Sequence, residues 1–526
     1  MNRLFLLVGF LGASFAALSL FAEEAGPSGP IRRVYVDQSH DFLFELTHLG
    51  QMFQRHAGAD ITISLTTFPP KDIQEFDAVV LHQWHKPIPF DEAAVKAIAE
   101  YVEKGGGLYV VANSVEFEKD RRPCPVAAVA ARFGCDLKVA GKGPVKTEAG
   151  DFCRESFVLD QPKKKFCVLA VRDRKESVLG NVQVLAREAG GEPVAVVGEF
   201  GKGRIFLTTE LAFAADTERE AQRDLMVKII RWVSRSDDPS AAPRMKLKKA
   251  GYRRRNPELV LKQDGIEVLH TAYLKDEAAL LVKESPKIRK AVNDFFQWQR
   301  SEPIKVITVT GGGFTDRSYV GIGVCDLSEQ ERRGLLLFET VNSTPTPAPT
   351  GLGEAWAVFI GRVLGPKLGT TAADEEDPWE KIREQVLPDD PKLDKFDISV
   401  DMRANPLPGS PKGQGNWVQF RKKKCALLLK ELHDKHGVEF IRRFFRIHFA
   451  TFDTPRTPDF DTWVKELSLA AGEDLTDFFR MHGTTVGDLK LPKTNDGIRQ
   501  AADQILKNAE RKEQASTQRA DGSKQP

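Results

Sequence analysis

Two glutamates carry the spacing in this chain that points most directly to chemistry. Glu339 lies in Leu335-Leu336-Leu337-Phe338-Glu339-Thr340-Val341-Asn342, and Glu354 opens Gly353-Glu354-Ala355-Trp356-Ala357-Val358-Phe359. On a helix, residues four apart share a face. Phe338 and Asn342 therefore stand where two histidines one turn apart would grip a metal ion, with Glu339 between them to polarise a bound water. Phe offers no donor atom, and an Asn amide is a poor substitute for imidazole. No cofactor is expected in this frame, zinc included, and two carboxylates remain. They could face one another across a cleft and divide acid and base roles. The plainer roles are a carboxylate at the edge of the core for Glu339 and a helix N-terminal carboxylate, favoured by the helix dipole, for Glu354.

Other reactive side chains are scattered. His82-Gln83-Trp84-His85 follows a strand-like run, and strand ends are where ligands gather in α/β sheets. His40 or Asp37 could join this pair, although structural polar roles account for all four. The six cysteines are Cys124, Cys135, Cys153, Cys167, Cys325 and Cys425. The first four fall in one segment at spacings unlike a zinc knuckle. They leave both bridges and buried thiols open.

The elements that would position these residues fall into successive blocks. Residues 31–234 alternate short apolar strands (Val34–Asp37, Ile61–Leu65, Asp77–Leu81, Leu108–Ala112) with helical stretches. Asp91 caps one helix, and Gly105-Gly106-Gly107 ends it. This βαβ alternation predicts a doubly wound parallel sheet, closed by a hairpin through Gly201-Lys202-Gly203 and a final helix. Residues 235–257 read as a linker, with Asp237-Asp238-Pro239-Ser240-Ala241-Ala242-Pro243 followed by Lys246, Lys248, Lys249, Arg253, Arg254 and Arg255. It is expected as a solvated connector, or as a basic patch making peripheral contact with anionic envelope polymer or lipid. Residues 258–490 read as an α+β, mainly helical domain. Its helices are expected at Glu277–Val282, Ile288–Trp298, Leu335–Val341, Glu354–Leu364, Lys424–His436 and Val438–Phe449, and its strands at Lys305–Thr310 and Tyr319–Gly323. Arg421-Lys422-Lys423-Lys424 reads as a solvated helix start. Residues 491–526 read as a polar tail, largely disordered at its end.

Length and charge narrow the function classes. The chain has 526 residues, 41% hydrophobic and 29% charged, with a net charge of +2. Such a near-balance argues against a global nucleic-acid footprint. Arg3 followed by the apolar run Leu4–Phe21 and Ala22-Glu23-Glu24 reads as a signal peptide over residues 1–22, or as an uncleaved anchor. The expected location is periplasmic or extracellular, with N-terminal membrane anchoring as the alternative.

Two family resemblances follow from these motifs. Tyr35-Val36-Asp37, Tyr101-Val102-Glu103-Lys104-Gly105-Gly106-Gly107-Leu108 and Gly201-Lys202-Gly203-Arg204-Ile205 resemble the glutamine-amidotransferase-like (class I, flavodoxin-like) domains of exported bacterial proteins. Such an enzyme needs a nucleophilic Cys in a tight elbow, whereas this chain has Ala112-Asn113-Ser114-Val115 there, so glutaminase activity is not expected. The second domain resembles the gluzincin metallopeptidases, in the broad sense of peptidase-MA-like and enhancin-like families. The residues carrying this are the Phe338–Asn342 and Glu354 frame, the stretch from Gly312-Gly313-Phe314 to Gly323, and Ala470-Ala471-Gly472-Glu473-Asp474-Leu475-Thr476-Asp477-Phe478-Phe479-Arg480-Met481-His482-Gly483. The resemblance implies an edge strand lining a substrate groove at Gly312, Gly313 and Phe314, a vestigial catalytic Glu339, and former ligand positions at Asn342 and Glu354. The expected function is non-catalytic: binding a peptide or glycan-bearing polymer in a degenerate peptidase groove. The alternatives are a hydrolase using Glu339 and Glu354 without the standard zinc site, and a structural envelope protein.

Overall fold

The computed structural model describes residues 30–522, except 43, 84–87, 113–124, 140–143, 160–166, 172–178, 215–218, 298–303, 316–318, 326, 344–346, 350, 371–378, 381, 384–396, 400–413 and 453–456. The expected leader over residues 1–22, Ser114 and His85 lie outside the described residues. Among those described, no helix is long and apolar enough to cross a membrane.

The first unit is built from β1 (Arg33–Asp37), α1 (Phe44–Ala57), β2 (Asp60–Ser64), β3 (Ala78–Gln83), α2 (Glu92–Glu103), β4 (Gly107–Ala112), α3 (Pro125–Arg132), β5 (Cys135–Val139), β6 (Lys146–Thr147), β7 (Cys167–Val171), β8 (Gly180–Arg187), β9 (Pro193–Phe200), β10 (Gly203–Thr208) and α4 (Glu220–Val233). A further strand, β11 (Tyr252–Arg255), joins it from beyond the helix, and the sheet runs β11-β2-β1-β3-β4-β10-β9-β8-β6. From β11 to β10 every pairing is parallel; from β10 to β6 every pairing is antiparallel. Side chains alternate across the strands. Val34 and Val36 therefore pack with Leu46, Leu49, Met226 and Ile230 on one face, while Tyr35 packs toward Ile98, Val102 and Val129 on the other. Asp91 caps α2 by accepting from the Ala94 amide, as its sequence position suggests. Cys153 and Cys425 are free thiols, and burial pushes the Cys425 thiol up to about 12.

Lys246, Lys248 and Lys249 of the basic stretch are exposed, but its end, Tyr252–Arg255, packs on the first unit. Arg255 forms a two-pronged ion pair with Asp72 (2.8 and 2.6 Å), and Arg253 pairs with buried Asp60. Arg254 lies over the rings of Phe314 and Tyr319. Arg32 reaches across to the carbonyls of Arg235 and Ala241 (2.7 and 2.6 Å). Charge density suggested solvation, but these guanidiniums meet Asp60 and Asp72 of the first unit and aromatic rings of the second, and Tyr252–Arg255 pairs with β2 as a strand.

The second unit comprises β12 (Leu259–Gln263), β13 (Ile266–His270), α5 (Lys275–Phe296), β14 (Ile304–Val309), β15 (Gly313–Thr315), β16 (Val320–Gly323), α6 (Glu329–Asn342), α7 (Gly353–Leu368), α8 (Gln414–His436), α9 (Val438–Thr451), α10 (Phe460–Ala471), α11 (Thr476–Met481) and α12 (Asn495–Gly522). Its sheet runs β12-β13-β14-β16-β15. The three central strands are parallel, and the two end strands are antiparallel to their neighbours. Trp356, Phe359, Phe444, Trp463 and Phe479, all fully buried, fill the core between the helices. Two helices expected on either side of Pro286 are one, α5, which continues through the proline. The beginning of the tail is a docked helix. Ile498, Ala502, Ile505 and Leu506 recur at helical spacing and pack on the core, which holds α12 in place.

The units meet through a small apolar cluster of Phe42, Leu65, Leu269, Ile307, Val309 and Phe314. The Phe42 amide donates to Thr310 Oγ1 (2.6 Å), and Tyr273 Oη donates to the Phe68 carbonyl (2.8 Å).

Candidate functional site

Helix α6 begins with a reciprocal cap. Ser328 Oγ accepts from the Glu331 amide, and the Glu331 carboxylate accepts from the Ser328 amide. From that start, Leu335, Leu336, Leu337 and Val341 fall on the core side, and Glu339 faces strand β15. A Cβ on Gly313 would lie 2.7 Å from Glu339 Oε1, so the missing side chain at 313 makes room for the carboxylate. Thr315 Oγ1 donates to Glu339 Oε2 (2.7 Å), and the nearby Asn342 side chain also favours the ionised carboxylate. Only 3% of Glu339 is exposed. Burial pushes its carboxyl up to about 7, and the negative field of Glu354 adds to the rise. The bond from Thr315, the Asn342 side chain and the charge of Lys422 oppose it.

Glu354 sits in the first turn of α7. The loop before it is tied down where the indole N–H groups of Trp356 and Trp463 both donate to the Pro347 carbonyl (3.2 and 3.1 Å). The Lys422 ammonium, from α8, donates to Glu354 Oε2 in an ion pair; the two residues are 2% and 7% exposed. Glu354 Oε1 is buried without a hydrogen-bond partner among the described residues. Glu339, Glu354 and Lys422 thus form one buried electrostatic unit beside the end strand β15.

This donor set does not fit zinc. Phe338 is partly buried against the core, Asn342 lies near Glu339, and an ammonium already neutralises Glu354. Among the described residues no group of three or more His, Cys, Asp or Glu could hold a metal ion.

Sequence reasoning missed Lys422. It lies in the basic quartet read as a solvated helix start, yet Arg421, Lys422 and Lys424 are all buried. Arg421 Nε donates to the Ile398 carbonyl and Lys424 Nζ to that of His482 (2.7 and 2.8 Å). One signal pointed to it: two carboxylates in a hydrophobic frame require a cation nearby.

The groove residues need correction. Strand β15 does end its sheet, and Gly312 takes a positive φ of 66°, but Phe314 is not open to a ligand. It is 5% exposed, stacks on Phe42 with ring centroids 5.2 Å apart, and covers Gly321. Its ring was expected to line a groove; instead Phe42 of the first unit packs against it. Thr315, half-buried beside Glu339, is the residue of this strand that reaches the carboxylates.

A second polar cluster lies at the C-terminal ends of β1 and β3. His40 Nδ1 bonds Asp37 Oδ2 (2.9 Å), Ser39 Oγ donates to Asp37 Oδ1 (2.7 Å), and Asp41 lies 3.9 Å from His82 Nδ1. The His40 ring stacks on Phe90 (4.0 Å) and abuts Tyr273 of the second unit (4.9 Å). His40 and Asp37 therefore do meet, under the junction between the units.

No family model matches the chain, and no curated protein is similar to it. Solved structures share only part of it. A cytoplasmic protein from Salmonella typhimurium aligns at 15% identity over 39% of this chain and 99% of that one, with a TM-score of 0.27. A ThuA-like protein from Parabacteroides merdae aligns at 14% identity over 40% and 92% of the two chains, with a TM-score of 0.24. An exo-beta-1,4-mannosidase from an Opitutaceae bacterium aligns at 14% identity over 40% and 34%, with a TM-score of 0.24. TM-scores of this size define neither a shared fold nor a shared function.

Proposed function

We propose that this is an exported, non-catalytic protein. In this reading it binds a peptide or glycan-bearing polymer beside β15, in a degenerate gluzincin-like groove carried next to a doubly wound, amidotransferase-like unit. The observation that carries the reading is the lysine. Glu339 and Glu354 keep the register of a metal-centred site, while the Lys422 ammonium supplies the positive charge there. An ammonium neutralises but cannot polarise a water as a Lewis acid does, so the arrangement keeps the two carboxylates and a positive charge without the hydrolytic step. The partners are extended polymers of the envelope rather than nucleic acid.

The test is binding by the full chain to a panel of unmodified peptides and envelope glycans, with Thr315→Val and Glu339→Gln as site variants. Binding that weakens in both variants supports the reading. Absence of binding, or binding indifferent to both, leaves a structural envelope role. Elemental analysis should find no stoichiometric zinc; one tightly held zinc per chain would overturn the argument.

One observation favours a second reading, a metal-independent hydrolase. A carboxyl held near 7 is suited to exchange protons at neutral pH. Turnover of any panel member that disappears in Glu339→Gln would select it.

A further inference from the structure

The first unit contains a cleft of about 710 Å³, remote in sequence from the glutamates, between α4 and the antiparallel strands β8 and β9. Its size falls within the range of about 300–1,000 Å³ common for small-ligand sites. Trp232 and Phe152 form an aromatic side to it, their rings edge-on at 5.7 Å, while Asn181, Gln183 and Glu199 line the strand side. We infer that this cleft binds an uncharged saccharide, one or two rings of a neutral glycan, stacked against Trp232 and hydrogen-bonded by Gln183 and Glu199.

Three observations support that ligand class. The basic groups around the cleft are tied to the protein's own oxygens. Arg231 donates to the His56 carbonyl (3.0 Å), Lys228 to the Phe152 carbonyl (3.4 Å), and Asp237 accepts from Arg204 (2.9 Å). Asp151 and Glu199 also line the cleft, and their negative charge disfavours an anionic ligand. Asn181 is held at a φ of 50°, in a stretch where the β8–β9 register shifts, and its amide donates to Glu199 Oε2 (2.7 Å). Such a left-handed position is uncommon for a residue with a side chain, and here it accompanies an amide clamped to the carboxylate. That bond orients Glu199 and leaves its second oxygen as an acceptor, beside the planar amide of Gln183, which can both donate and accept. Finally, the Arg204 guanidinium lies over the Trp232 ring at 5.1 Å, which steadies the indole whose remaining surface borders the cleft. A rigid aromatic surface flanked by planar hydrogen-bonding groups matches a pyranose, with its C–H faces and equatorial hydroxyls.

The experiment uses the full chain with three neutral probes, chitotetraose, mannotetraose and cellotetraose, and one anionic probe, tetragalacturonate. Binding is followed by saturation-transfer NMR and titration calorimetry. The expected result is binding of at least one neutral probe and none of the anionic one. Gln183→Ala should weaken that binding about tenfold, and Trp232→Phe should weaken it without changing the thermal midpoint by more than a few degrees. Gln183→Ala is half-exposed in site and guards against loss of folding in the Trp variant. Failure of all three neutral probes, preference for the anionic one, or binding unmoved by Gln183→Ala overturns the proposal. Because Thr315→Val and Glu339→Gln alter only the second unit, their effect on polymer binding is read separately from this result.

Discussion

The ion pair of Lys422 and Glu354 is withdrawn from water on both sides, so its loss is felt asymmetrically. Removing one partner strands a buried charge, whereas replacing both by apolar groups can be nearly neutral. Lys422→Met should cost about 3–5 kcal/mol in denaturant unfolding, and adding Glu354→Leu should recover much of that. A double variant no better than the single one would show that the pair does not act as a unit. Glu339 carries a pH dependence of the opposite kind to an ordinary salt-bridged acid. Its folded-state pKa, about 7, lies above the 4.5 of a free glutamate. The folded protein therefore holds a proton that the unfolded chain releases between those values. Stability from this group is full below about 4.5, falls as pH rises through about 7, and is level above it. The full drop is about 3 kcal/mol. Glu339→Gln should abolish that slope, so that the variant gains on the parent between pH 5 and 8; parallel stability curves would refute the assignment. The two glutamates were legible from spacing alone. Lys422 was not, because four consecutive basic residues read as solvated, and nothing local shows that three of them are buried.

At the scale of elements, legibility followed periodicity. Strands such as β1 and β4 and the capped helix α2 announce themselves by apolar runs bounded by cap residues. Helix α12 does not, since its apolar positions are sparse and its mean composition is that of a solvated tail. What holds it is docking: Ile498 and Ala502 are 1% and 0% exposed. Ile498→Ala should cost about 2–5 kcal/mol, and hydrogen exchange in Asn495–Gly522 should accelerate in that variant. Exchange as fast in the parent as in a free peptide would contradict the docking. Strand β15 shows the limit of reading an edge from glycines. Gly312 and Gly313 correctly mark a turn and a close approach, but the environment of Phe314 depends on a residue more than two hundred and fifty positions away.

For the whole molecule, the small apolar cluster helps join the two units, together with Tyr273 at Phe68 and His40, Thr310 at Phe42, and Arg254 over Phe314 and Tyr319. Phe314→Ala should cost about 3–5 kcal/mol and uncouple the units, so that a single calorimetric transition in the parent becomes two. One unchanged transition would show that the cluster does not couple them. No sequence pattern announces such a junction, because its members come from four separated segments whose alternation is explained equally well by each unit's own core.

The strand contributed by Tyr252–Arg255 has a consequence for how the chain comes into being. On the ribosome, β1 through α4 emerge first, but β2 stays at an open edge until residue 255 has followed. A nascent chain paused near residue 234 would present unpaired backbone donors and acceptors along β2, a template for pairing with a neighbouring polypeptide. The first unit therefore matures only once the beginning of the second is within reach, and a fragment stopped at 234 should be prone to association where one ending after 255 is not.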